Sequence, residues 1–219
     1  MRLWGRKTSI NTQKVLWCLA ELGMKEGQDF ERIDAGLHFG HNHTPAFLKL
    51  NPNGLVPLLE DGDLVLWESH TILRYLVDQY DTNHFFSTDI SMVYQSEKWL
   101  DWKLGTMWPI LRVAFFGLTR QPEEQRDYRV IQKAYQDTNQ LLGMLDSTLE
   151  RQAYCAGNQF SLGDIPLVLG ISRWILLHES FAEKTGPRTP YQNIDAWVKR
   201  LETNTNYSIV AENTLNIVK

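Results

Sequence analysis

Three places in the 219-residue chain combine residue types and spacings that could do chemistry. Ser9, with Asn11 and Thr12 close behind, stands just before an apolar pattern at helical spacing. A side-chain donor there meets the positive end of a helix dipole, a pairing that favours an anion, although a hydroxyl at a helix start often does no more than cap it. In Asn51-Pro52-Asn53-Gly54-Leu55-Val56-Pro57-Leu58-Leu59-Glu60, Pro57 comes directly before an apolar run. Having no N–H to give to a ladder, it belongs at a strand's start or in a tight turn, where a cis Val56–Pro57 bond would fit. Glu68-Ser69 opens another helical pattern. Backbone N–H groups without partners could receive a carboxylate there, or Ser69 could simply cap the helix while Glu68 is solvated. His41-x-His43, with His38 nearby, could chelate, but no acidic or cysteine ligand joins them at the usual spacing, so no closed zinc site is expected.

The elements that must hold these residues follow from periodicity. Met1 to Trp4 reads as a short strand, and Val15, Leu16, Cys18, Leu19 and Leu22 mark a helix from Asn11 to Leu22, ended by Gly23. A second strand is expected near Asp29 to Asp34 and a short, irregular helix from His43 to Leu50. Val56 to Glu60 and Leu64 to Trp67 flank Asp61-Gly62-Asp63 as a hairpin, and a helix runs from Ser69 to Tyr80. Residues 81–89 are polar, without periodicity, and suit a linker. Beyond them Tyr94 to Leu118, Pro122 to Arg151, Leu162 to His178 and Tyr191 to Glu202 all carry helical spacing. The expected class is α/β plus all-α: a β-α-β-α-β-β-α domain at 1–80, a linker at 81–89 and a helical bundle at 90–219. Ser161-x-x-Asp164 ahead of an apolar helix is a capping-box variant that bears on fold alone.

Composition narrows the function classes. A net charge of -4 provides no broad basic field for a phosphate backbone, so nucleic acid is not expected as a partner and a small molecule suits better. No stretch of about 18 uninterrupted apolar residues and no apolar leader appears, which points to a cytoplasmic protein without a membrane span. Cys18 and Cys155 are the only cysteines and form no CxxC; Cys18, among Val15, Leu16, Leu19 and Leu22, reads as a packed core thiol.

Taken with its neighbours, the Asn51 to Leu58 segment resembles the glutathione-binding turn of the cytosolic glutathione transferases, commonly written NPxGxVPxL. The resemblance implies a thioredoxin-like first domain in which the backbone before a cis-proline, here Val56 before Pro57, pairs with the cysteinyl backbone of glutathione like a short added strand. The family's acid-serine pair lies about ten residues past that proline, as Glu68 and Ser69 do here. The resemblance implies that Glu68 takes the γ-glutamyl ammonium and that the Ser69 hydroxyl and N–H take the carboxylate. Ser9 lies six residues before Val15, the spacing seen in serine-type members of theta and phi character. That implies Ser9 as the donor holding glutathione as its nucleophilic thiolate, with Asn11 and Thr12 as alternates because an Asn or Thr contacts the sulfur in some bacterial relatives. Asn42 and His43 fall where relatives set polar or basic side chains for the glycyl carboxylate, although the usual Lys or Arg is absent. By analogy, Trp102, Met107, Trp108, Leu111, Arg112 and Phe115 are candidates for the wall of an electrophile pocket.

The implied activity is conjugation of glutathione, as co-substrate and without metal, to a hydrophobic electrophile in detoxification by a twofold homodimer. Two alternatives remain on the same fold. One is a glutathione-dependent disulfide reductase or peroxidase using Asn11 or Thr12; the other is a non-catalytic binding protein. A maleylacetoacetate isomerase is disfavoured, since its Ser-Ser-Cys signature is absent.

Overall fold

The computed structural model describes residues 1–82 and 86–211. Residues 83–85 of the expected linker and 212–219 of the expected helical domain lie outside the described residues. The chain divides into two compact units, one comprising Met1–Phe86 with the stretch that starts at Thr205, the other Ser87–Asn204.

The first unit runs β1 (Arg2–Trp4), α1 (Ile10–Glu21), β2 (Glu31–Ile33), α2 (Pro45–Leu50), β3 (Leu58–Asp61), β4 (Leu64–Trp67) and α3 (Ser69–Tyr80), the expected order. Its sheet is arranged β2-β1-β3-β4, with β1 parallel to β2 and antiparallel to β3, and β3 antiparallel to β4. Strand alternation sends Leu3 and its partner Leu59 into the core, while Trp4 meets Phe47 of α2 edge-on at 5.9 Å and donates its indole N–H to Glu60 at 2.6 Å. Helices α1 and α3 pack together over Val15, Leu16, Leu19, Ile72, Leu73 and Leu76, all buried. Cys18 is fully buried, and burial pushes its thiol pKa up, away from thiolate chemistry.

Boundaries differ from the sequence reading where local caps overrule periodicity. Helix α2 starts at Pro45, not His43, because Thr44 accepts the Phe47 N–H at 3.3 Å and a proline suits the first helical turn. Strand β3 starts at Leu58, after the cis Val56–Pro57 bond. A 3₁₀ turn at Asn206–Val210 joins the first unit, since Tyr207 lies edge-on to Trp17 at 5.0 Å and the Asn206 N–H donates to Glu21 at 2.7 Å. Residues 205–211 thus leave the helical domain in which the sequence places them; a ring pair and one carboxylate, which no periodicity reports, hold them on α1.

The second unit contains α4 (Ile90–Trp102), α5 (Trp108–Thr119), α6 (Tyr128–Leu149), α7 (Asp164–Thr185) and α8 (Gln192–Asn204). The single helix expected from Tyr94 to Leu118 is interrupted by a π-turn at Lys103–Met107. Pro109 explains it: proline has no N–H to return to the preceding turn, and its ring would strike the carbonyl four residues back. The helix expected from Pro122 begins only at Tyr128, where Asp127 accepts the Arg129 and Val130 N–H groups at 3.0 and 3.3 Å. Helix α7 continues past His178 to Thr185, with a kink at Phe181, and stops at Gly186, whose φ of 72° suits glycine. By length and composition α7 is apolar enough to cross a membrane, and 56% of its most apolar window is buried inside the protein. It packs against α4, α5 and α6 with Ile165, Val168, Leu169 and Trp174 fully buried.

Candidate functional site

Helix α1 brings its first polar residues to one end of the sheet. Ser9 is the N-cap, with φ -79° and ψ 121°; its carbonyl accepts the Gln13 N–H at 2.8 Å, but its hydroxyl makes no capping bond to the helix. The side chain is therefore not spent on the role that the blander reading gave it. Asn11, two residues further in, is half-buried. Thr12 is fully buried, and its Oγ1 would stand 2.3 Å from a Cβ placed on Gly5. That packing corrects the alternate assignment of Thr12: its hydroxyl faces the β1 end of the core and no ligand can reach it.

Between the loop before β3, the end of β4 and the starts of α1 and α3 lies a cleft of about 120 Å³ lined by Asn11, Asn51, Asn53, Leu55, Val56, Pro57, Trp67, Glu68 and Ser69. Val56 stands two residues before Leu58, where pairing with β1 begins, so its backbone amide and carbonyl lie beyond that ladder. Asn51 shapes the turn: its Oδ1 accepts the Asn53 N–H at 3.1 Å and its Nδ2 donates to the Leu55 carbonyl at 2.9 Å. The resulting loop leaves the Val56 amide and carbonyl outside the sheet ladder, where the backbone of a bound peptide can pair with them as in strand addition.

At the other end, Glu68 precedes α3 and Ser69 is its first residue. Glu68 is exposed, makes no capping bond and holds φ 72° and ψ 109°, a backbone state that costs a side-chain-bearing residue about 1–3 kcal/mol. A carboxylate fixed beside a helix N-terminus that also offers N–H and hydroxyl donors suits a zwitterion carrying both an ammonium and a carboxylate.

The other expected contacts fall outside this lining. Ser9, two residues before the lining residue Asn11, does not itself line it. Asn42 is buried and spends its Nδ2 on the Gly54 carbonyl at 2.6 Å and on His43 Nε2 at 3.1 Å, so it braces the turn. Because Nδ2 only donates, His43 Nε2 accepts and its proton sits on Nδ1. Gly54 makes this fit possible with φ 62° and only 3.1 Å between a would-be Cβ and the Asn42 carbonyl. In the helical unit, Met107 and Leu111 are fully buried, and Met107 Cε would lie 3.2 Å from a Cβ on Gly170. Both therefore belong to the bundle core, a correction to their assignment as pocket wall, because Met107, in the π-turn, packs against Gly170 of α7 and Leu111, on α5, is sealed from solvent. Trp102 and Trp108 are half-buried, Arg112 is exposed, and Phe115 packs on Trp108 at 5.7 Å. The Lys103 ammonium sits 4.6 Å from the Trp108 ring. Among the described residues no cluster of three or more His, Cys, Asp or Glu is poised for a metal.

Sequence reasoning gave no individual role to Asn51, Asn53, Leu55 or Trp67, although the first three lie in the Asn51 to Leu58 motif and Trp67 directly precedes Glu68-Ser69. It missed Lys14, whose signal is a cation four residues before Cys18, on the face of α1 that the apolar pattern assigns to the core.

Comparison with known proteins follows the same division of the chain. The family model of the glutathione S-transferase N-terminal domain matches residues 1–78, and that of the glutathione S-transferase C-terminal domain matches residues 106–204. Glutathione S-transferase GstB of Escherichia coli K12 is 37% identical over 201 residues, covering 91% of each chain. Glutathione S-transferase 3 of Zea mays is 32% identical over 170 residues, covering 75% of this chain and 73% of the relative. Among solved structures, a theta class glutathione S-transferase from Xanthomonas axonopodis pv. citri with glutathione bound superimposes with a TM-score of 0.85 at 36% identity, over 98% of both chains.

Proposed function

Since the chain belongs to the glutathione S-transferase family, its activity is the transfer of glutathione to an electrophile, and we propose that the cleft beside Val56 holds the tripeptide while Ser9 stabilises its thiolate. The observation that carries this reading is the convergence on one cleft of the Val56 backbone, the Glu68-Ser69 pair and the first turn of α1. Glutathione lies along Val56 with its γ-glutamyl carboxylate on Ser69, its ammonium on Glu68 and its glycyl carboxylate near the His43 N–H, which Asn42 orients. The sulfur then comes to the start of α1, where the Ser9 hydroxyl and the helix dipole both favour the anion.

In the reaction the thiolate attacks the electrophilic carbon; for a chlorinated aromatic, a carbon–sulfur bond forms and chloride leaves. The residues of this chain orient and stabilise the nucleophile without bonding to either reactant. The electrophile is hydrophobic, with Trp102, Trp108, Arg112 and Phe115 as its candidate contacts on the helical unit. We place the enzyme in the cytoplasm, as a homodimer acting in detoxification; two buried free thiols suit a reducing compartment. The test is turnover of 1-chloro-2,4-dinitrobenzene with glutathione, set against reduction of a small disulfide. Disulfide activity without conjugation would replace this reading with the reductase.

The conformation of Glu68 yields a prediction in which stability and binding move in opposite directions. Glu68→Gly relieves a left-handed backbone and is expected to raise stability by about 1 kcal/mol. The same change removes the ammonium contact and weakens glutathione binding about tenfold, in line with the typical strength of a charge-assisted hydrogen bond. Thermal unfolding and calorimetry on the same preparation check both signs; a variant that is destabilised, or that binds as tightly as the parent, contradicts the assignment.

A further inference from the structure

Lys14 is among the largest fully enclosed side chains of the protein, at 1% exposure. A buried ammonium must be matched by polar groups. Its Nζ meets Asn11 Oδ1 at 2.9 Å, Ser69 Oγ at 3.1 Å and His70 Nε2 at 3.0 Å. Two of these partners, Asn11 of α1 and Ser69 of α3, line the glutathione cleft.

An ammonium only donates, so the three contacts fix three orientations. Asn11 gives its carbonyl oxygen to Lys14, which leaves the Nδ2 amide as its remaining donor group. Ser69 receives on an oxygen lone pair, so its O–H stays available to donate to a ligand. His70 accepts on Nε2 and carries its proton on Nδ1. The result is a fixed positive charge behind two donors that both line the cleft, Asn11 at the start of α1 and Ser69 at the start of α3.

We propose that Lys14 is a positioning residue of the glutathione site, aiming the donors of Asn11 and Ser69 and supplying a buried positive charge behind the subsite for the γ-glutamyl carboxylate. This rests on the glutathione reading above and adds to it a residue that touches no substrate. Its effect is specific to the carboxylate, because a charge within a few ångströms of Ser69 acts on an anion held there far more than on the rest of the ligand.

The test uses the full-length protein and two probes in calorimetry, glutathione and 4-aminobutyryl-cysteinyl-glycine, which lacks only the γ-glutamyl carboxylate. Wild type should prefer glutathione. In Lys14→Met, which keeps the apolar stem, glutathione affinity should fall about tenfold while affinity for the analogue changes less than about threefold, the difference being the strength of a charge-assisted contact. Lys14→Arg should restore most of the preference. If circular dichroism finds Lys14→Met unfolded, Lys14→Gln, which keeps donors but no charge, carries the same comparison. Equal weakening of both probes in a folded variant reduces Lys14 to a core residue and overturns the proposal. Wild-type protein that binds neither probe instead overturns the glutathione reading on which the proposal stands.

Discussion

Replacing Ser9 by alanine is expected to lower kcat/KM for conjugation about a hundred- to a thousandfold while leaving glutathione affinity within about threefold, the effect of removing one preorganised donor from a developing or resident anion. The asymmetry follows from where the donor acts. The tripeptide is held by the Val56 backbone and the Glu68-Ser69 end, which the substitution leaves in place. Only the sulfur loses a partner. The Ser9 hydroxyl makes no capping bond to α1, so its loss does not also fray the helix, and the carbonyl still accepts the Gln13 N–H at 2.8 Å. A thiol's ordinary pKa is about 8.5. A donor to the thiolate lowers that value, so its removal must raise it, and the pH–rate profile should move to the alkaline side. Ultraviolet titration of the bound thiolate measures the shift directly. The comparison variant is Asn11→Ala, since Asn11 lines the cleft and Ser9 does not itself line it. About a tenfold loss is expected from Asn11→Ala, a typical cost for a second, weaker donor. If the larger loss and the pKa shift belong to Asn11→Ala, the amide is the sulfur's partner. Unchanged turnover and thiolate absorbance in Ser9→Ala would sink the assignment.

The legible part of this molecule was the part written in periodicity and in one contiguous motif. The order of strands and helices in the first unit follows from local patterns, because each element depends on a proline, a turn residue or a helix start whose effect reaches only a few positions, whereas the cis bond at Pro57 and the meeting of Val56 with Glu68-Ser69 were expected from the resemblance that the motif carries. What escaped depends on contacts between distant segments. Thr12 and Asn11 are neighbours of similar polarity, yet one is sealed against Gly5 and the other opens to the cleft; a single 100° step around α1 separates the two fates. Met107 and Leu111 have the composition of a ligand wall, but Gly170 on α7 admits Met107 into the bundle, and a glycine 63 positions away is invisible to any window. Lys14 lay in plain view on an apolar face, and its meaning came only with Ser69, 55 positions on.

The largest loss of stability is expected in the helical unit, from Asp164→Ala. Asp164 is fully buried, and its carboxylate accepts from four donors: the Cys155 N–H at 2.9 Å, the Trp197 indole N–H at 2.9 Å, the Ser161 N–H at 2.9 Å and the Ser161 hydroxyl at 2.6 Å. One side chain thus ties the loop before α7 to the start of α7 and to the middle of α8. Alanine leaves two backbone amides, a hydroxyl and an indole facing a dry void, and each buried donor without an acceptor costs about 1–3 kcal/mol. Relief from desolvating the carboxylate offsets part of that sum, and the net expectation is about 4 kcal/mol. For a chain of this size that corresponds to a fall in Tm of about 8–16 °C. Asp164→Asn keeps the shape but turns an NH₂ toward the Ser161 donors, so it should recover less than half of the loss. Burial also raises the carboxyl's pKa above its ordinary value, and the hydrogen bonds from Cys155, Ser161 and Trp197 pull it back only in part. A native pKa above the unfolded one means that the folded state binds more protons, so this titration favours folding in acid and the benefit declines as pH rises through the native value. The stability gap between wild type and Asp164→Asn should therefore be widest at low pH and narrow on the way to neutrality. Thermal unfolding across that range checks both the size and the sign; a drop in Tm under about 3 °C for Asp164→Ala, or a gap that widens toward neutral pH, would show that the four donors find other partners or that the carboxylate is held ionised throughout.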